Sequence, residues 1–238
     1  MVSSKSLSNA YRDLAFGFFA LLTIMTFVRG LFKEEFGSGY IYYVLPLFVP
    51  SMGSVLILSL RVIAKLTPNL RVIKSLISIL LIAIVFRLLG IFVIKDSAIG
   101  LYMNVGSSIL ITVLLSGITY RMIINLFKEG YHIIEKLWAS VCVFFFIGAI
   151  FGSVYSILML INPEAIKVTM EHPLEIYLYG MIYSINILSG FDPIYPETSE
   201  SVQMTALLES TLSMLFLVIL IGRLLGGAPE EKRQLDDQ

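Results

Sequence analysis

Ser189-Gly190-Phe191-Asp192 stands at the end of an apolar stretch, Pro173 to Leu188, and just ahead of Pro193-Ile194-Tyr195-Pro196. These residue types suit the holding of a cation. A glycine and two prolines leave backbone carbonyls outside any helix, and Asp192 adds a carboxylate, so the chain presents hard oxygen ligands in a short run. The stretch before them predicts a short helix, with Pro173 at its first position and Glu175 in its first turn. Its carbonyl end, the negative pole of its dipole, then points at the Ser-Gly-Phe-Asp turn. Some fifteen residues reach about 22 Å at 1.5 Å per residue, too short to cross a bilayer and too apolar to lie in water. The segment therefore reads as one that enters the bilayer and returns, which irregular backbone survives only where protein buries it or water wets it.

Six longer stretches must hold this segment in place. The chain has 238 residues, 57% of them hydrophobic and only 14% charged, with a mean hydropathy of +0.88. That balance excludes an ordinary soluble domain, whose charged fraction is near a quarter. Runs long enough to span lie at about 14–32, 40–64, 72–94, 98–127, 137–161 and 202–226. Twelve of the seventeen Lys and Arg residues fall in segments on the amino-terminal side of this arrangement and four on the opposite side, Arg87 lying within a span. This bias places both termini in the cytoplasm. Nine of the seventeen Asp and Glu residues lie on the outer side, a surface that attracts cations or, more plainly, a solvated acidic one. The first run lacks a small-residue cleavage motif and reads as a retained span. Zero formal net charge gives no support to nucleic-acid binding. A lone Cys142 and two histidines, His132 and His172, exclude a disulfide framework and leave no metal centre beyond permeant cations.

The order of span, short helix, Gly-aromatic turn, Tyr-Pro and span resembles the pore module of potassium-channel-like tetrameric P-loop cation channels. Their filter reads Thr-Val-Gly-Tyr/Phe-Gly-Asp. Gly190 matches the first filter glycine, Phe191 the aromatic, and Ile194-Tyr195-Pro196 the stretch that follows. Asp192 stands either in place of the second glycine or, with the gap shifted, for the family's aspartate. The likeness covers about ninety residues, Tyr131 to Gly227, and departs from the family at the second glycine and at the threonine, where Leu188 or a neighbour stands.

The resemblance implies a homotetramer in which Leu188, Ser189, Gly190, Phe191 and Asp192 line the narrow path, with Glu197 and Glu200 at the outer vestibule. It implies potassium as the default ion, and a ring of Asp192 carboxylates in place of a full carbonyl stack relaxes the choice between potassium and sodium. Carboxylate oxygen also suits calcium. The plainer reading makes Asp192 a turn residue before Pro193 and Tyr177, Tyr179 and Tyr183 simple packing.

Two ionisable groups lie deep in the predicted spans, Arg87 in the third and Glu209 in the sixth. Each must face protein or water, as a gating element or as a structural clamp, with Glu209 either lining the cavity or bracing the short helix from behind. The fourth span, Ala98 to Tyr120, carries no Arg or Lys, so it is not a voltage sensor. Pro46, Pro50 and Gly53 predict a bend in the second span, and Gly148 with Gly152 predicts a close helix contact.

The sequence thus predicts an all-α integral membrane protein with six transmembrane helices and a re-entrant pore helix and filter loop between the fifth and sixth. Residues 1–130 form a four-helix bundle without sensor charges, 131–227 the pore domain and 228–238 a short cytoplasmic tail. The expected function is a cation channel of the cell membrane, with the lipid bilayer and its own copies as partners, no cofactor, and any gating left to lipid, pH, the ion or a separate regulatory protein. The alternative is a carrier or accessory subunit whose re-entrant loop is structural. An enzyme is disfavoured: the histidines fall on opposite sides, and no base accompanies Cys142.

Overall fold

The computed structural model describes residues 4–24, 41–67, 69–90, 98–127, 133–166, 173–190 and 199–236. Among them the chain is all helical, with seven helices: α1 Ser4–Thr23, α2 Ile41–Leu66, α3 Leu70–Leu88, α4 Ala98–Leu126, α5 Ile133–Ile161, α6 Pro173–Leu188 and α7 Glu200–Asp236. Among the described residues three stretches are long and apolar enough to cross a membrane, namely α4, α5 and Glu200–Gly222 of α7, which marks the chain as a membrane protein. In α3 the charges explain the difference, since every 18-residue stretch of this 19-residue helix contains Arg71, Lys74 and Arg87.

α1 begins at Ser4, ahead of the expected start near Leu14. Leu7, Tyr11, Leu14, Phe18 and Leu21, spaced alternately four and three apart, are all buried, so an amphipathic stripe carries the helix into the polar amino-terminal stretch. α2 is helical through Pro46 and Pro50. α3 is capped by Asn69, whose side chain accepts a hydrogen bond from the Arg71 N–H. α7 continues through Gly226, Gly227 and Pro229 to Asp236, so the expected tail is an extension of the last helix.

α5 is the hub, packed against α1, α4, α6 and α7. Its amino-terminal half meets α1: the Cys142 thiol donates to the Tyr11 carbonyl at 3.2 Å, and Phe18 stacks on Phe145 and meets Phe146 edge-on. Its carboxyl-terminal half meets α6 and α7. Two apolar clusters follow from this division, a large one built around α1, α2, α4 and α5, and a smaller one of Phe151, Tyr155, Tyr179, Tyr183 and neighbours.

Candidate functional site

α6 spans Pro173–Leu188, the bounds that its sequence predicts, and ends in a glycine stop. The Ser189 N–H donates to the Ile185 carbonyl at 2.9 Å and the Gly190 N–H to that of Ile187 at 3.1 Å. Gly190 has φ +73°, the left-handed conformation that closes many helices and that a side chain would strain. Ser189 and Gly190 are exposed.

α6 lies antiparallel on α5. Ser156 approaches the Ile176 carbonyl, Gly152 lies against Met181, and Gly148 against Ser184 and Leu188. Gly148 stands near the midpoint of the 29-residue α5. The 16-residue α6 reaches about 24 Å against about 43 Å for α5, so it covers only the carboxyl-terminal half of its neighbour and stops level with the middle. The approach is close because small residues face each other. A Cβ on Gly152 would stand 3.0 Å from the Met181 Cα, and one on Gly180 would stand 2.5 Å from both the Gly152 carbonyl oxygen and Ser156 Oγ.

Glu209 and Arg87 do not meet; each has its own partners, and α6 supplies one to both. Glu209 is fully buried. Tyr155 of α5 donates to Glu209 Oε2 at 2.8 Å, and Ser184 of α6 is hydrogen-bonded to Oε1. Ser184 Oγ also lies 2.8 Å from the Gly148 carbonyl oxygen. Tyr183 closes on Tyr155 edge-on, with ring centroids 4.7 Å apart. Three helices are thereby joined at one carboxyl group.

Arg87, in the last turn of α3, donates to Ser108 Oγ of α4 at 3.2 Å and sets its guanidinium carbon 3.7 Å from the centre of the Tyr177 ring. Among the described residues its Nε has no hydrogen-bond partner, and neither has the Tyr177 hydroxyl. The cation is stabilised by the ring face, an interaction that strengthens as water is removed. Tyr177 and Ser184 are seven residues apart, so the two clamps grip α6 about 10 Å from each other along its axis.

Leu188 is buried, and with Ile185 and Ser189 it borders a cavity of about 230 Å³ whose other walls include Phe18, Phe19, Leu22 and Phe145. The space beside the end of α6 is therefore apolar and aromatic within one protomer. Glu200 is exposed in the first turn of α7, where a carboxylate complements the helix dipole. Phe191, Asp192 and Glu197, the remaining residues assigned to the filter and vestibule, lie outside the described residues.

Ser184, Tyr155 and Ser108 carry the polar contacts and are not singled out by the sequence. A partial signal for Ser184 exists: Gly148, Gly152 and Ser156 on one helix and Gly180 and Ser184 on the other repeat small residues every fourth position. Compared with known proteins, the chain matches no protein-family model, no curated protein and no solved structure.

Proposed function

We propose that the chain is the subunit of a homotetrameric cation channel in the cell membrane, with six spans, both termini in the cytoplasm, and α6 as a re-entrant helix that delivers Leu188 to Asp192 to the ion path. One observation carries this reading: α6 runs beside the carboxyl-terminal half of α5, is fastened to α5 and α7 along its length, and stops at mid-height with Ser189 and Gly190 exposed. A helix of that depth turns its free carbonyls toward the bilayer centre, where only a wet or protein-lined space tolerates them. Cations are the species such a dipole end favours, and the Asp192 carboxylate and Ser189 and Gly190 carbonyls are oxygen ligands for potassium, sodium or calcium. Four copies supply the enclosure that one short helix lacks.

Purified protein in planar bilayers under potassium, sodium and calcium gradients tests the reading. Cation-selective single-channel steps are expected, with a several-fold loss of conductance in Asp192→Asn. Permeation unaltered by that substitution removes Asp192 from the path, and an anion reversal potential rejects the proposal. A second reading, a carrier or accessory subunit with a structural re-entrant loop, draws support from the apolar cavity at Leu188 and Ser189, which offers no oxygen to an ion from α1 or α5 side chains. It predicts saturable exchange or silence in place of ohmic steps.

A further inference from the structure

Three oxygen-to-oxygen contacts form a chain through Glu209 and Ser184: Tyr155 to Oε2, Ser184 to Oε1, and Ser184 to the Gly148 carbonyl. Each such contact is strong only with a hydrogen of its own between the oxygens, and one hydroxyl hydrogen shared between two acceptors holds both weakly. Tyr155 supplies one hydrogen and Ser184 one. The Gly148 carbonyl can only accept, and a carboxylate can only accept. The three contacts therefore share two hydrogens unless Glu209 brings a third. We propose that Glu209 is a proton-binding site: the carboxylic acid donates from Oε1 to Ser184 Oγ, Ser184 donates on to the Gly148 carbonyl, and Tyr155 donates to Oε2.

In this form each of the three contacts has its own hydrogen, and no charge is left in this cluster. The surroundings agree. Among the described residues the titratable side chains packed at this cluster are phenols, Tyr155 from α5 and Tyr183 and Tyr179 from α6, and the further carboxyl group of α6 is the buried Glu175, about 14 Å before Ser184 along the helix. From α7 itself the adjoining turns present Thr205, Ala206, Leu212 and Ser213. Among the described residues the basic positions on these three helices are Lys136, Arg223, Lys232 and Arg233, and the nearest, Arg223, is about 21 Å along α7. Arg87 is engaged at Tyr177, two turns of α6 away.

Release of the proton to water leaves a carboxylate and two hydroxyl hydrogens for three contacts. Ser184 must then divide one hydrogen between Glu209 and Gly148, and one of the two polar contacts that tie α6 to α7 and α5 at this point weakens. Proton occupancy thus sets how the short helix is fastened, whatever passes beside it; the inference does not depend on the channel reading.

Infrared spectroscopy of the full chain in lipid nanodiscs at neutral pH tests it. The expected result is a protonated carboxylic C=O absorption in the wild type that shifts in D₂O, is lost in Glu209→Gln and is retained in Glu200→Gln. A wild-type minus Glu209→Gln difference that shows carboxylate bands instead overturns the proposal. Ser184→Ala covers the case in which the glutamine variant does not fold, because it keeps the acid and removes its acceptor. The C=O band is expected to persist and move to higher frequency, and a band that stays in place shows that the proton is not directed at Ser184.

Discussion

Gly180 faces Gly152 across the α5–α6 contact so closely that a Cβ on Gly180 would stand 2.5 Å from the Gly152 carbonyl oxygen. Both Gly180→Ala and Gly152→Ala push backbone against backbone, which no rotamer change relieves. Each is expected to cost about 1–3 kcal/mol, the usual range for overpacking, read as a lower thermal midpoint of the purified protein. Gly117→Ala on α4 is the contrast, since a Cβ there meets nothing within 4 Å. Its midpoint should stay level or rise slightly with helix propensity.

At position 209, shape and charge separate cleanly. Glutamine can accept from Tyr155 and donate to Ser184, reproducing the neutral acid, so Glu209→Gln should lie within about 1 kcal/mol of the wild type. Glu209→Ala strands both partners in a fully buried place and should cost about 2–5 kcal/mol. A midpoint order in which Ala exceeds Gln contradicts the clamp.

Arg87 and Tyr177 should show energetic coupling. In a double-mutant cycle with Arg87→Met and Tyr177→Leu, the interaction energy is expected at about 0.5–2 kcal/mol. Tyr177→Phe keeps the ring face and should preserve most of it, because among the described residues the hydroxyl has no hydrogen-bond partner to lose. If Phe behaves like Leu, the ring is not what holds the guanidinium.

Cys142 is fully buried between α5 and α1, with its thiol donating to the Tyr11 carbonyl. A maleimide should leave the folded protein unlabelled and react once denaturant is added. Rapid labelling of the native state places α1 elsewhere.

The legible part of the site was the part whose signals are local. Pro173 before an apolar run and Gly190 after it announce a helix, and α6 has those limits. Gly148 and Gly152 likewise announce a close helix contact, although not its partner. α1 starts ahead of the apolar run at Leu14, because hydropathy falls among Lys5, Asn9, Arg12 and Asp13 while the buried stripe from Leu7 to Leu21 goes on. α7 runs on past the apolar stretch that ends near Gly226, because a helix can continue beyond the hydropathy that marks a span. Glu209 and Arg87 stood out as ionisable groups in apolar runs. Their partners did not, since Tyr155, Ser184 and Ser108 are ordinary residues in spans until three helices come together.

The division of α5 between two neighbours has a mechanical result. α6 occupies one half of its length and α1 reaches toward the other, and Phe18, Phe19 and Leu22 look across a small empty space at Ile185, Leu188 and Ser189. The two helices share one rail with a gap between their buffers. The amino-terminal helix thus borders the same small space as the residues that lead into the turn at Gly190.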